Sequence, residues 1–230
     1  MQPSKRQARQ EETKNKICEA AFHLYHQDGI EGVSMRTIGK LLGVSQMMSY
    51  RYFKSKNELI YEMRARVFRK FAGYINQLVV GKGNAESRLL KASFGYLHYS
   101  EVAAEDYRFA FLMNRQVISS IDQDHTNLFS KNQEKILDIT GELIAEILDI
   151  PADSKQCKFL MRYLWISVHG LATANLDDLL FGKPNYDEIK SQYTKKLLSG
   201  IIEPSILAKL RKPTNYPEIE SLISYSDKFS

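Results

Sequence analysis

Residues 34–59 constrain the fold of this 230-residue chain most strongly, because they carry the signals of two short helices and a tight turn. Ser34 can cap a first helix, whose apolar residues follow at helical spacing. Gly43 stands where that helix must end in the left-handed conformation, which glycine enters at little cost. Ser45 can cap a second helix over residues 46–53. This spacing predicts a helix-turn-helix, a motif whose second helix can enter the major groove of DNA.

The positive charge of the chain is concentrated around this motif. Residues 1–56 contain 10 Lys or Arg and 5 Asp or Glu, whereas the other 174 residues contain 22 of each. The net charge of +5 therefore lies entirely in the first segment. Four further basic residues continue it into the next predicted helix: Arg64, Arg66, Arg69 and Lys70. A local basic patch of this kind is typical of a surface that binds a polyanion.

The rest of the chain also has helical periodicity, and no alternating strand pattern is present, so we predict an all-α fold. The predicted helices cover residues from about 13 to 29, 56–80, 85–100, 105–119, 127–148, 153–181 and 187–199, in addition to the two of the motif. We predict a basic arm at 1–10, a DNA-binding domain at 11–71, a larger helical domain at 72–211 and a tail at 212–230. The arm could reach DNA or remain a disordered tail.

Other classes of protein receive little support. Cys18 and Cys157 are far apart and suggest neither a disulfide framework nor a metal knuckle. His23 and His26 could hold a metal only with a third ligand, and a solvated pair is the simpler interpretation. No phosphate-binding glycine motif, signal peptide or apolar run of about 20 residues occurs. We therefore expect a cytoplasmic protein that is not an enzyme and needs no cofactor; a helical enzyme or a basic membrane-surface module is the alternative.

The amino-terminal region resembles the TetR family of transcriptional regulators. The resemblance rests on these runs: Ile17-x-x-Ala20-Ala21-x-x-Leu24-Tyr25-x-x-x-Gly29, Ser34-x-Arg36-x-Ile38-Gly39, Gly43-Val44-Ser45 and Tyr50-Arg51-Tyr52-Phe53-Lys54-Ser55-Lys56-x-Glu58-Leu59. It covers residues 11–70. Further along, Trp165-Ile-Ser-Val-His169-Gly170 is similar to the Trp-x-x-x-His-Gly signature of one class of TetR carboxy-terminal domain.

The resemblance implies an all-helical homodimer that binds a palindromic operator and is released from it by a small-molecule effector, most often as a repressor. Three amino-terminal helices would bind DNA, and the last two long helices would pair across the dimer. Small residues near 153–181 and an apolar stripe at 187–201 fit such an interface, although the stripe could pack within one subunit.

Eleven residues are candidates for DNA contact. Gln46 can hydrogen-bond a base edge, and a methionine can pack on a thymine methyl. Tyr50 and Lys56 resemble the tyrosine and the lysine with which the family contacts phosphate. Ser34, Arg36 and Thr37 could anchor the first helix to the DNA backbone. The full set is Ser34, Arg36, Thr37, Ser45, Gln46, Met47, Met48, Tyr50, Arg51, Lys54 and Lys56. Ser49 departs from the family pattern, which has a larger apolar residue there, so either Met47 or Met48 could turn inward.

Aromatic and sulfur-containing residues in 94–113 and 159–165 could line an effector cavity, or they could form ordinary core. His169 could donate to a ligand or satisfy a buried hydrogen bond. The candidate effector residues are Tyr96, Tyr99, Phe109, Met113, Met161, Trp165 and His169. No pair of charges indicates which ligand would enter.

Overall fold

The computed structural model describes residues 4–81, 83–113, 137–182 and 185–218. These residues are all-helical, and no strand occurs among them. The chain divides into two compact units. The described part of the amino-terminal unit is residues 4–67 with 108–113, and the described part of the carboxy-terminal unit is the remainder.

The amino-terminal unit contains the predicted helix-turn-helix. Its helices are α1 (Lys5–Gly32), α2 (Met35–Leu41), α3 (Gln46–Tyr50) and the first half of α4 (Lys56–Val79). Helix α2 packs against both α1 and α3. A π-helical turn, Arg108–Leu112, belongs to the same unit.

An apolar cluster holds this unit together. Ile17 and Phe22 on α1, Ile38 on α2 and Phe53 after α3 are each at most 3% exposed. Phe109 of the π-helical turn packs edge-on against Phe22, with ring centroids 5.7 Å apart. The 3–4 residue spacing that predicted an apolar face on each helix therefore does mark the buried side.

Helix α1 begins at Lys5, earlier than the periodicity predicts. Ser4 caps it through a capping box in which the Ser4 hydroxyl accepts from Gln7 N–H and the Gln7 side chain accepts from Ser4 N–H. Residues 5–10 are thus an exposed helical extension. An apolar pattern cannot reveal such an extension, because all of its sides face solvent. Near the other end, Gly29 breaks the helix with φ +66°, and one further turn follows to Gly32.

The carboxy-terminal unit comprises the second half of α4, then α5 (Ala85–Val102), α6 (Ala104–Tyr107), α7 (residues 137–148), α8 (Lys155–Leu176), α9 (Tyr186–Leu198) and α10 (Pro204–Leu207). Helix α5 packs against α8 and α9, and these two pack against each other. The start of the predicted helix at 127 and the end of that at 119 lie outside the described residues.

Helix α8 ends at Leu176, five residues before the predicted end at Phe181. Asp178 adopts φ +54°, and the Leu179 N–H donates to Ala174 O at 2.8 Å. This bond closes the last turn locally. Leu179 and Phe181 therefore lie in an exposed connection and do not extend the apolar face of the helix.

Candidate nucleic-acid interface and ligand cavity

Helix α3 presents its polar and flexible side chains to solvent. Gln46 is exposed, and Met47 and Tyr50 are 66% and 47% exposed. Met48 is half-buried, so Met47 is the methionine of the pair that projects further into solvent. This exposed face lies where the second helix of a helix-turn-helix meets base edges.

Helix α2 is held at its start by a pair of side chains that cap each other. Ser34 Oγ accepts from Thr37 N–H at 3.0 Å, and Thr37 Oγ1 accepts from Ser34 N–H at 2.9 Å. Thr37 Oγ1 also donates to Gly32 O at 2.8 Å. Arg36 between them is exposed. Ser34 and Thr37 therefore frame the motif, and Arg36 is the side chain in this turn that is open to a phosphate.

Two glycines set the spacing of α2 and α3. A Cβ on Gly39 would lie 2.9 Å from Val44 O and 3.1 Å from Gln46 N, so the helices meet there at backbone distance. Gly43 has φ +67° in the turn, which confirms the predicted left-handed position. The close approach at Gly39 could not be predicted from the residue pattern alone.

The predicted side-chain cap of α3 is absent. Ser45 occupies the cap position but makes no side-chain cap hydrogen bond. Ser49 is fully buried, and its Oγ has no hydrogen-bond partner within the described part of the chain. Helix α3 ends at Tyr50, three residues before the predicted end at Phe53, and Arg51 follows as its C-cap.

The start of α4 ties the motif to α1. Lys56 Nζ donates to Ile30 O at 2.7 Å, which fixes the end of α1 against this turn. The Glu58 N–H donates to Ser55 Oγ at 3.1 Å, and the Glu58 carboxylate accepts from the backbone N–H of Lys54. Ser55 therefore caps the first turn of α4, and the Glu58 carboxylate holds the backbone of Lys54 ahead of it. The Lys54 side chain is exposed.

A small cavity of about 30 Å³ lies in the carboxy-terminal unit, between the second half of α4 and helices α5, α7 and α8. Most of its lining is apolar. The lining residues are Ile75, Leu89, Ala92, Ser93, Tyr96, Leu137, Thr140, Leu164, Trp165 and Val168.

Polar groups converge at the Tyr96 and Trp165 side of this cavity. The Tyr107 hydroxyl lies 2.6 Å from His169 Nδ1, and the Tyr96 hydroxyl lies 3.1 Å from both Tyr107 Oη and His169 Nδ1. The rings of Trp165 and His169 are stacked, 5.3 Å apart and 8° from parallel. We call these four residues the Tyr-His cluster.

Burial keeps the Tyr-His cluster uncharged near neutral pH. It lowers the pKa of His169 and raises the pKa values of Tyr96 and Tyr107. In the tautomer that carries its proton on Nε2, the neutral imidazole accepts at Nδ1 and the Tyr107 hydroxyl donates there. A ligand that enters the cavity therefore meets neutral hydrogen-bonding groups and no fixed charge from this cluster.

Three of the seven predicted effector residues, Tyr96, Trp165 and His169, belong to the Tyr-His cluster. Tyr99 is buried elsewhere, against Phe71 and Tyr74. Met161 lies beside Gly141 and does not line the cavity.

Phe109 and Met113 lie in the amino-terminal unit, where Phe109 packs on Phe22 and Tyr25. Tyr107, which was not among the selected seven, completes the cluster. Tyr107 lies within a run of aromatic residues, but several core residues lie in the same run, so this position alone does not mark it as a site residue.

Helices α8 and α9 also carry an exposed apolar face. Phe159, Tyr163 and Ile166 follow each other at helical spacing on α8 and are 64%, 46% and 60% exposed. Tyr193 on α9 is 39% exposed, and its hydroxyl donates to Ser167 O at 3.3 Å. Gly170 extends the face, and a Cβ there would meet nothing within 4 Å. We call this surface the α8–α9 face.

Comparison with known proteins identifies the amino-terminal region. Residues 17–63 match the model of the bacterial regulatory proteins of the tetR family. The HTH-type transcriptional regulator SAB2452 of Staphylococcus aureus (strain bovine RF122 / ET3-1) is 30% identical over 86 residues, which are 37% of this chain and 46% of that protein. The regulator SAUSA300_2515 of strain USA300 is 34% identical over 67 residues, 29% of this chain and 36% of that protein. The chain thus matches less than half the length of these curated relatives.

Solved structures share the fold over most of the chain. A TetR/AcrR-family transcriptional regulator from Thermobifida fusca YX-ER1 superposes with a TM-score of 0.62 at 17% identity, covering 82% of this chain and 98% of that one. The transcriptional regulator FadR from Bacillus subtilis, in complex with stearoyl-CoA, superposes with a TM-score of 0.61 at 16% identity, covering 81% and 98%. At these identities the similarity establishes the fold alone.

Residues 17–63 therefore match the helix-turn-helix region of the tetR family, and the residues that the structure describes contain helices and no strand. Within the described ranges, no helix is long and apolar enough to cross a membrane. The same ranges contain no group of three His, Cys, Asp or Glu side chains placed to hold a metal ion. The resemblance of residues 165–170 to one class of carboxy-terminal domain stays a prediction.

Proposed function

We propose that the protein is a homodimeric transcriptional repressor that binds a palindromic DNA operator and leaves it when a small apolar effector binds. The observation that carries this proposal is the capped helix-turn-helix, which presents Gln46 and Met47 at the solvent-facing side of α3. Arg36 and Lys54 flank that face and are exposed, so they are suited to phosphate contacts.

DNA binding is tested by fluorescence anisotropy with the DNA upstream of the protein's own gene. Arg36→Ala and Lys54→Ala should weaken binding to operator and to random DNA alike, and each should lower the slope of log K against log salt by about 1. Gln46→Ala should instead change the preference among operator variants. Lys209→Ala removes an exposed charge from the other unit and serves as the control. Absence of binding at low salt, or equal losses in the control, would refute the proposal.

The α8–α9 face supports the dimer. An exposed run of large apolar residues on a helix normally marks a protein interface, and the bare Gly170 position allows a partner helix to approach closely. A second copy of the chain fits best, because an operator with two half-sites requires two reading helices about one DNA turn apart.

Light scattering at micromolar concentration tests this assignment. The wild type should be a dimer, and Ile166→Glu should be a monomer, because a carboxylate would be buried without a partner at the interface. Phe181→Glu changes a side chain that is 99% exposed and lies outside the α8–α9 face, so this variant should remain dimeric. A monomeric wild type contradicts the dimer, and a dimeric Ile166→Glu variant places the interface elsewhere.

The cavity and the Tyr-His cluster support an effector site. FadR, which shares the fold, was crystallised with stearoyl-CoA. In this chain the apolar lining and the uncharged polar side favour an apolar ligand with one hydrogen-bonding atom. Since the cavity of about 30 Å³ holds little more than a water molecule, the ligand must displace side chains when it enters.

Trp165 is the only tryptophan of the chain and lines the cavity, so its fluorescence reports ligand entry. Compounds selected by this signal should lower the DNA affinity of the wild type. They should lose that effect in His169→Ala, because the partner for the ligand's polar atom is then missing. A compound that releases both proteins equally acts at another site.

A further inference from the structure

A second and larger concave surface lies in the carboxy-terminal unit, separate from the cavity beside Trp165. The chain beyond α10 runs along the end of α4 and along α5 from Lys91 to His98. Residues 211–217 form one wall of an open groove of about 840 Å³. The opposite walls are Asn76, Gln77 and Leu78 of α4, Val80 directly after it, and Lys91 of α5. We call this surface the C-terminal groove.

The wall formed by the chain end is anchored. The ring of Tyr216 stacks on His98 of α5, with centroids 3.9 Å apart and planes 17° from parallel. Burial raises the pKa of Tyr216, as expected of a ring covered by protein. Pro213 and Pro217 also line the groove, and their fixed φ angles restrict this wall further. The basic residues next to them are therefore presented by a segment with reduced freedom.

All charged side chains that line the groove are positive. Its lining includes three cations, Lys91, Arg211 and Lys212, and no carboxylate. Neutral donors accompany them, namely two asparagines, a glutamine and a threonine: Asn76, Gln77, Thr214 and Asn215. The sequence beyond residue 56 carries equal numbers of acidic and basic residues, so this arrangement is a local separation of charge.

Glu101 and Asp187, two carboxylates close enough to act on Tyr216, are held by another cation. Lys190 Nζ lies 2.6 Å from Glu101 and 2.9 Å from Asp187, and its side chain is largely buried between them. Lys212 is close enough to lower the pKa of Asp187, yet neither Lys212 nor Arg211 forms an ion pair with another described residue. Both cations are exposed, so an anion from solution can reach them.

We propose that the C-terminal groove binds a small phosphorylated anion with two or more linked phosphate groups. An arginine fork and flexible lysines are the side chains that bind phosphate oxygens best, and the amides and hydroxyl can donate to the remaining oxygens. A volume of about 840 Å³ is far larger than one phosphate needs and lies in the range of ligand sites. Cations on two different walls suit an extended anion that spans the groove.

Calorimetric titration of the full chain with inorganic pyrophosphate at physiological salt tests the proposal. We expect one site per protomer with a Kd below about 1 mM, and clearly weaker binding of orthophosphate. Arg211→Ala/Lys212→Ala should raise the Kd at least about ten-fold, because two charge-assisted contacts are lost. Both side chains are exposed, so this variant should fold normally. Lys91→Gln on the opposite wall should also weaken binding.

Lys195→Ala/Lys196→Ala is the matched control. It removes the same charge from α9, outside the groove, and should leave the Kd within about two-fold. The DNA affinity of the Arg211→Ala/Lys212→Ala variant should also be unchanged. Equal losses in both double variants, or no binding of pyrophosphate by the wild type, would overturn the proposal. It would equally fail if the groove variant lost DNA affinity and kept pyrophosphate binding, since these cations would then contact the DNA backbone.

Discussion

Alanine substitutions at three serines of the helix-turn-helix should change the stability of the amino-terminal unit in three different ways. Ser34 Oγ accepts from Thr37 N–H at 3.0 Å, so Ser34→Ala loses a cap and should cost about 1 kcal/mol. Ser45 makes no side-chain cap bond, so Ser45→Ala should change stability by less than about 0.5 kcal/mol. Ser49 buries a hydroxyl without a described partner, and Ser49→Ala should stabilise by about 1 kcal/mol because that desolvation penalty is removed.

The measurement must report on the amino-terminal unit, and Trp165 lies in the other one. Hydrogen exchange of the backbone amides in residues 35–63 of the full chain meets this need. A change of about 1 kcal/mol alters exchange through unfolding about five-fold. We expect faster exchange for Ser34→Ala, unchanged exchange for Ser45→Ala and slower exchange for Ser49→Ala.

Two outcomes would refute this reasoning. Exchange that is five-fold faster in Ser49→Ala would mean that the hydroxyl makes a stabilising hydrogen bond. Equal losses in Ser45→Ala and Ser34→Ala would mean that both serines cap their helices and that the structural difference between them has no energetic meaning.

Two glycine-to-alanine substitutions, at Gly39 and Gly73, should have opposite effects. Gly39→Ala places a Cβ 2.9 Å from Val44 O and should reduce DNA affinity at least about ten-fold by separating α2 from α3. Gly73 is an exposed helical site where a Cβ would meet nothing within 4 Å. Gly73→Ala should therefore stabilise the folded protein by up to about 1 kcal/mol without affecting DNA binding. Acidification should destabilise the carboxy-terminal unit. Burial lowers the pKa of His169 from 6.5, so the unfolded chain takes up its proton first. The contribution of the neutral His169 to stability is complete above pH 6.5 and is lost progressively as the pH falls from 6.5 to the lowered value. Denaturation followed by Trp165 fluorescence should show this loss in the wild type and a smaller one in His169→Gln, and a loss of the same size in both would contradict the assignment.

The turn and the helix start of the helix-turn-helix were predictable because they depend on residues that are close together in the sequence. Gly43 has the left-handed φ that the sequence required, and α4 begins at Lys56 as predicted. Interactions between residues three or four apart determine such features, and they are visible in a sequence. Where α1 extends to Lys5 through exposed residues, the local cap of Ser4 was the available signal, and the apolar pattern gave none.

For the ligand cavity, the types of residue could be predicted from the sequence, but not which of them lie together. Tyr96, Tyr99 and Tyr107 lie within twelve residues of each other, and all three are buried, so neither residue type nor burial separates them. What separates Tyr96 and Tyr107 from Tyr99 is His169, which lies 62 positions beyond Tyr107 and has its Nδ1 2.6 Å from the Tyr107 hydroxyl. Pairings at this separation depend on how α5, α6 and α8 pack, and a single sequence does not contain that information.

The C-terminal groove shows the same limit for charges. Arg211 and Lys212 lie among prolines near the predicted tail, where the sequence suggests only an irregular, basic segment. In the structure they face a wall that carries Lys91, about 120 positions earlier, while Lys190 holds Glu101 and Asp187 nearby. The net charge of a segment therefore does not reveal a binding surface, because the spatial pairing decides which cations are neutralised. In this unit the largely buried Lys190 binds Glu101 and Asp187, whereas Arg211 and Lys212 of the chain end are exposed to anions in solution.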